Sequence, residues 1–262
     1  MARLNHTRQL HPIIPGRVIR TEPFKVTGLP AAYPLSIYVP PSYDRTDEPL
    51  PVAYMFDGQN LFGDEGTYSG GWHLHDVLEQ RAAAGKLVPL VVGIHHGGVT
   101  RLSEFSPWNV SEFEGKGGIM LDWITGSVMP MIEAEWRVQK GPAATLIGGS
   151  SLGGLMSLYG FVHYPNRFGK VMSMSPSVWV GQGELIRHAT PRNLPFERRV
   201  YVDAGFHEKR TIIWCQAMIA VLRGKGMVLD HDLKWIQDPD GEHNEPTWRR
   251  RLPDALKWLY DK

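Results

Sequence analysis

From about residue 50 to its end, the chain alternates short continuous apolar runs with longer segments of helical periodicity. That alternation leaves few folds open. Runs at 51–56, 88–94, 144–147, 170–174, 199–202 and 233–236 predict strands, and segments 72–84, 119–136, 152–164, 212–222 and 248–260 predict helices set among them. Val52-Ala53-Tyr54-Met55-Phe56 and Val88-Pro89-Leu90-Val91-Val92 place no polar residue at alternate positions. A strand reads that way when helices cover both faces of its sheet. The expectation is an α/β fold: a mostly parallel, twisted sheet with helices on both faces. The first 50 residues hold strand-like runs, 35–39 the clearest, with no helix between them, and predict antiparallel strands added to one sheet edge. Residues 93–118 predict a long irregular loop. No repeat or linker divides the chain, so a single domain over 1–262 is expected.

Composition removes several function classes. Lys and Arg number 28 against 27 Asp and Glu, a formal charge of +1, which gives no electrostatic footprint for nucleic acid or an anionic membrane. Cys215 is the single cysteine, so an intrachain disulfide and a cysteine-rich zinc site are excluded. No run of 18 apolar residues could span a bilayer. The N-terminal residues do not open onto a signal-like apolar run, since Pro12, Pro15, Gly16 and Arg17 interrupt the nearest candidate, Ile13-Ile14. A soluble, cytoplasmic protein is expected.

The sharpest local signal is Ala144-Thr145-Leu146-Ile147-Gly148-Gly149-Ser150-Ser151-Leu152-Gly153-Gly154-Leu155. It contains Gly-x-Ser-x-Gly centred on Ser151, between an apolar strand and an amphipathic helix. A serine on so sharp a strand-to-helix turn needs small residues two before and two after it. A glycine-rich turn where helix and sheet pack closely is the plainer reading, but the flanking strand and helix favour a nucleophile. No Lys-Ser/Thr pair follows the glycines, as a phosphate-binding loop would require.

A serine hydroxyl needs a base to take its proton and an acid to orient that base. On this architecture they should follow in the order Ser, acid, His, each after a later strand. His243, in Asp240-Gly241-Glu242-His243-Asn244-Glu245, is the last of eleven histidines and the only one placed just past a final strand and before the last helix. Two acids are open in Tyr201-Val202-Asp203-Ala204-Gly205-Phe206-His207-Glu208: Asp203 at the strand end and Glu208 in the loop beyond. Glu208 is preferred, because a loop side chain can reach across to a histidine.

These residues together resemble the putative-esterase family of α/β-hydrolases, which includes S-formylglutathione hydrolases, feruloyl and acetyl-xylan esterases, ferric-siderophore esterases and mycolyltransferases. The resemblance runs from about residue 30 in separated blocks: Tyr54-Met55-Phe56-Asp57-Gly58-Gln59-Asn60-Leu61-Phe62, Glu104-Phe105-Ser106-Pro107-Trp108, Gly148 to Leu155, Ser173-Met174-Ser175-Pro176-Ser177-Val178-Trp179, and the Asp203 and His243 segments above. It implies an α/β-hydrolase fold with Ser151 as nucleophile, His243 as base and Glu208 as acid. Acyl transfer also needs donors for an oxyanion. One should be the backbone N–H of Leu152, the residue after the nucleophile, and by resemblance the other is that of Gln59. Trp179 and Phe206 are the preferred walls of a substrate pocket.

The implied activity is hydrolysis of carboxylic esters through an acyl-enzyme, on short-acyl or polar-alcohol esters of sugar, feruloyl or siderophore type. Transfer of the acyl group to another alcohol or thiol is the alternative on the same fold. A non-catalytic binding protein on a hydrolase scaffold would lack a member of the triad, and none is missing. The expected partner is a small-molecule ester, with no nucleic acid, no membrane and no cofactor. His73-Leu74-His75-Asp76 raises a metal site, but His73 and His75 would face opposite sides of a helix and the longer pattern His-x-His-x-Asp-His is absent, so none is expected. His95-His96 would border the site, and Arg249-Arg250-Arg251 would form a solvated helix face.

Overall fold

The computed structural model describes residues 15–64, 67 and 69–261. The strands begin with an unanticipated one, β1 (Arg17–Arg20), followed by the short pair β2 (Phe24–Lys25) and β3 (Ala32–Tyr33), then β4 (Leu35–Val39) and β5 (Val52–Phe56). Next come α1 (Leu74–Ala83), β6 (Leu90–Ile94), the single turn α2 (Arg101–Glu104), and α3 (Gly117–Trp123), which passes through a π-helical turn at Ile124–Val128 into α4 (Met129–Glu135). The remainder alternates: β7 (Thr145–Ser150), α5 (Leu152–His163), β8 (Lys170–Met174), α6 (Glu184–Ala189), β9 (Arg199–Gly205), α7 (Lys209–Gly224), β10 (Leu233–Asp238) and α8 (Glu245–Tyr260).

Eight strands form one sheet in the order β1-β4-β6-β5-β7-β8-β9-β10. β1 pairs antiparallel with β4 and β4 antiparallel with β6, while all pairs from β6 to β10 are parallel. The expected mostly parallel sheet with antiparallel strands at its N-terminal edge is what forms. The segment 93–118 is less irregular than expected, because α2 and a 3-10 turn at Gly98–Thr100 lie within it. Helix α6 carries too few apolar residues for its periodicity to stand out in the sequence.

Period-two alternation explains the uninterrupted apolar strands. Val52, Tyr54 and Phe56 of β5 join one core with α3, α4, α5 and α7 residues such as Leu121, Ile132, Leu155 and Met218. Ala53 and Met55 join a second core on the opposite face, with Leu74 and Leu78 of α1 and Leu252, Leu256 and Leu259 of α8. Helix α5 is buried along its whole length to Val162. It lies against β7 and β8 at the middle of the sheet.

The parallel register brings the carboxyl ends of five strands to one edge. Met55 pairs with Gly148, Ser150 with Met174, Met174 with Asp203 and Gly205 with Asp238. Ligand sites of open α/β sheets lie outside this edge, and the turns that leave it begin with Asp57, Ser151 and Ser175. Truncating Phe161, a fully buried residue of α5 in the core shared with β5, should cost about 3–5 kcal/mol. Urea denaturation of Phe161→Ala should show it as a lowered midpoint with an unchanged slope.

Candidate active site

The turn from β7 into α5 is strained where the sequence motif sits. Ser151 has φ 55° and ψ −117°, a conformation that costs a non-glycine residue about 1–3 kcal/mol. The surroundings hold it from both sides: Ser151 N–H donates to Met174 O at 2.9 Å, and Ser151 O accepts from Ser177 N–H at 2.9 Å and Leu155 N–H at 3.0 Å. Such a turn requires bare backbone. A Cβ on Gly149 would lie 3.0 Å from the carbonyl carbon of Gly153, and one on Gly153 would lie 2.9 Å from Phe56 Cβ.

The strain presents Ser151 Oγ to His243, whose Nε2 lies 2.9 Å away. On the other side of the ring, His243 Nδ1 is 2.6 Å from Glu208 Oε2. With Nδ1 protonated it donates to the carboxylate, leaving the Nε2 lone pair for the serine proton. Glu208 Oε1 accepts two further bonds, from Ser175 Oγ–H at 2.7 Å and Gly205 N–H at 2.7 Å. Burial alone would push the Glu208 carboxyl up, but the hydrogen bonds from His243, Ser175 and Gly205 outweigh it and hold the group below the usual carboxylate value.

His243 is placed by the backbone around it. Gly205 and Gly241 approach so closely that a Cβ on Gly205 would sit 2.1 Å from Gly241 O, which pulls the His243 loop onto the end of β9. One residue further, Asn244 caps α8 by accepting from Thr247 N–H at 3.1 Å. Trp248, one turn into α8, sets its ring edge-on to the imidazole, 5.1 Å between centroids at 82°.

The other candidate acid, Asp203, does not touch His243. It is fully buried beneath the site, accepts from Ser175 N–H at 3.0 Å, and lies 3.4 Å from Arg251 Nε. Burial pushes its carboxyl up to about 6 despite Arg251. Arg251 itself departs from the expected solvated helix face. It is 5% exposed and donates from Nη2 to Ser175 Oγ at 3.0 Å, whereas Arg249 and Arg250 do lie on the exposed side.

Leu152 opens α5, so its N–H is among the four at a helix start that lack an intrahelical acceptor. Gln59 lies in a 3-10 turn, Gly58–Asn60, directly after Asp57. Asp57 takes the left-handed conformation, φ 59° and ψ 46°, and its carboxylate receives Arg101 Nε and Nη2 at 2.6 and 2.8 Å. This buried fork fixes the loop that carries Gln59. Sequence reasoning missed Arg101, Ser175 and Trp248 as parts of the site. Ser175 lay within a recognised block, but nothing local distinguishes it from its neighbours Ser173 and Ser177.

A cleft of about 490 Å³ opens over Ser151 and His243, lined on its far side by Asp57, Asn60, His96 and Arg101. His96 thus borders the cleft, while His95 is buried against Ser36 Oγ at 2.8 Å. Trp179 borders a second groove, on the Glu208 side of His243, with the Arg210 guanidinium 3.7 Å above its ring. Phe206 lines neither groove. It is 58% exposed and rests edge-on against His207.

The fold is that of an α/β-hydrolase. The chain belongs to the esterase family whose profile, described as "Putative esterase", matches residues 27–259, and it is accordingly a hydrolase of ester bonds. It is 29% identical over 243 residues to the protein YbbA of Bacillus subtilis (strain 168), covering 87% of this chain and 92% of that one. To the iron(III) enterobactin esterase of Escherichia coli (strain K12) it is 29% identical over 136 residues, which is 49% of this chain but only 33% of that relative's length. Among solved structures, the BES protein from Bacillus cereus superposes with a TM-score of 0.72 at 20% identity over the whole of both chains. The enterobactin esterase of Shigella flexneri, in the presence of enterobactin, gives 0.73 at 24% identity over 95% of this chain and 61% of that one. Among the described residues no helix is long and apolar enough to cross a membrane.

Asp203 yields a pH prediction. A carboxyl whose folded pKa is raised binds its proton more tightly in the folded state, so ionising it favours unfolding. Stability from this group is complete below the unfolded value of 3.8 and falls as pH rises through about 6. Urea titrations from pH 4 to 7 should show wild type losing stability relative to Asp203→Asn across that window. A constant difference between the two proteins would refute the assignment.

Proposed function

We propose that the chain is a serine carboxylic-ester hydrolase working through an acyl-enzyme, with Ser151 as nucleophile, His243 as general base and acid, and Glu208 as the orienting carboxylate. The observation that carries this reading is the continuous hydrogen-bonded line from Ser151 Oγ through His243 to Glu208, standing on a strained turn at the carboxyl edge of the sheet.

In this mechanism Ser151 Oγ attacks the ester carbonyl as its proton passes to His243 Nε2. Negative charge then develops on the carbonyl oxygen, where the N–H groups of Leu152 and Gln59 receive it. His243 returns the proton to the leaving alcohol; a water then attacks the acyl-enzyme, losing its proton to the same nitrogen, which passes it to Ser151 Oγ as the acid product departs. Glu208 stays ionised throughout, as its three hydrogen bonds favour, and stabilises the imidazolium that forms at each half-reaction.

The cleft suggests the substrate class. Asn60, His96 and Arg101 bring polar groups to a cleft of about 490 Å³ that Trp248 also lines, which supports esters of small acyl groups on polar alcohols. The relatives described as enterobactin esterases support esters of siderophore type within that class, alongside sugar and feruloyl esters.

Ser151→Ala should lower kcat on p-nitrophenyl acetate by about 10³–10⁶-fold and abolish labelling by a fluorophosphonate probe, while Glu208→Gln should cost roughly 10²–10⁴-fold in kcat. Turnover retained by Ser151→Ala would defeat the assignment. A panel varying acyl length and alcohol should give kcat/KM that falls beyond short acyl chains.

A further inference from the structure

His73-Leu74-His75-Asp76 does not form the uniform helix that would point its two histidines to opposite sides. α1 starts at Leu74, and His73 precedes it as a cap in the left-handed conformation, φ 48° and ψ 41°. Leaving the helix turns the His73 ring back beside that of His75, so the two stack with centroids 6.0 Å apart and planes inclined by 29°. One nitrogen of each histidine and a carboxylate oxygen of Asp76 come within 4.8 Å of one another.

The individual separations suit a small ion. Asp76 Oδ2 lies 3.8 Å from His73 Nδ1, and Asp76 Oδ1 lies 3.3 Å from His75 Nε2. A tetrahedral zinc with bonds of about 2.0–2.2 Å places its ligand atoms roughly 3.3–3.6 Å apart. The shorter distance falls within that spacing and the longer one just outside it, and the Asp76 carboxylate, which would have to turn one oxygen toward both rings, is 59% exposed.

A second observation is independent of the cluster's spacing. The far nitrogen of His73, Nε2, lies 2.7 Å from Asp64 Oδ1, and the same oxygen accepts from Gly71 N–H at 2.8 Å. Protonated Nε2 donates to that carboxylate, which leaves the Nδ1 lone pair directed toward Asp76. Metal-bound histidines commonly have this arrangement, in which a carboxylate fixes tautomer and ring orientation from behind. Asp64 is itself pinned by a backbone N–H, so it is preset rather than recruited by an ion. The positive end of α1 opposes a cation here, but two carboxylates, Asp64 and Asp76, face the site and offset it.

We infer that His73, His75 and Asp76 bind a divalent transition-metal ion of zinc class, with Asp64 orienting His73 from behind. Three protein ligands leave a fourth position open to solvent. The site is separate from Ser151, but it anchors the loop between β5 and α1 that supplies Asn60 and Ser69 to the cleft. Trp72, the residue before His73, reaches toward the site as well: its ring is 6.2 Å from that of Trp248, which faces His243. A bound ion would hold the Trp72-His73 step in place.

The test is equilibrium dialysis of the full, tag-free chain, stripped with EDTA and then titrated with zinc chloride near neutral pH. Wild type should take up one tight equivalent per chain, and zinc should raise its Tm. His73→Ala/His75→Ala should lose that equivalent and the Tm shift, while His163→Ala/His188→Ala keeps both. Asp64→Asn should bind about 10–100-fold more weakly, and it decides the matter if the double variant does not fold. No tight equivalent in wild type, an equivalent that survives the double substitution, or affinity unchanged in Asp64→Asn would overturn the inference.

Discussion

The hydroxyl of Ser175 ties together the three parts of the chain that meet at the site. It donates to Glu208 in the loop after β9 and accepts from Trp248 Nε1 and Arg251 Nη2 on α8, each at 3.0 Å. Its own backbone N–H is held by Asp203, on the neighbouring strand. A buried hydroxyl with one donor and two acceptor positions is thereby fully used. The consequence reaches beyond one bond: α8 is fixed to the strand ends by the same atom that fixes the carboxylate beside His243. The imidazole therefore sits between two elements that cannot shift independently, its Nδ1 on Glu208 and its face against Trp248.

Strain accumulates along the same edge. Asp57, Ser151 and Ser175, at or just past the ends of β5, β7 and β8, all have positive φ, though none is glycine. Each costs about 1–3 kcal/mol and would relax in a loosely packed protein. Here each is constrained by specific partners: Arg101 on the Asp57 carboxylate, Met174 and Ser177 on the Ser151 backbone, Asp203 on the Ser175 backbone. The strands beneath are buried on both faces, so the edge is supported by close-packed core. Under the proposed mechanism, rigid strands carrying strained turns would preorganise the Leu152 and Gln59 donors, since a donor that must move to meet developing charge loses part of its effect.

Much of this was legible in the sequence because it depends on local pattern. The central strands announce themselves by apolar runs such as 52–56, the turn at Ser151 by its flanking glycines, and α5 by its start immediately afterwards. Boundaries slipped where tertiary contacts decide them: α7 begins at Lys209 and α8 at Glu245, before their apolar periodicity does. β1 has no core signal because all four of its residues are exposed, and it is a strand only through its pairing with β4. Arg251 was unreadable for the opposite reason. Its charge suggests solvent, and only the meeting of α8 with β8 and β9 provides the buried partners that let a guanidinium stay inside. Likewise, the neighbours of His73 imply a helical direction for it, although one residue of left-handed backbone is enough to reverse where its ring points.

The choice between Asp203 and Glu208 shows what the sequence cannot supply. The two acids are five residues apart, beside the same strand end, and both are buried. Their environments push them in opposite directions. Asp203 is fully enclosed; its Oδ1 accepts from Ser175 N–H, and its Oδ2 faces Arg251 Nε at 3.4 Å without a hydrogen bond, so desolvation prevails and raises it. Glu208 is 9% exposed and accepts three bonds, so hydrogen bonding prevails and lowers it. An ionised Glu208 also makes it harder to ionise Asp203 nearby, which widens the separation. A carboxylate that must remain charged beside an imidazole is therefore better placed one short loop beyond the strand, where it can collect donors, than at the strand end, where the sheet closes around it.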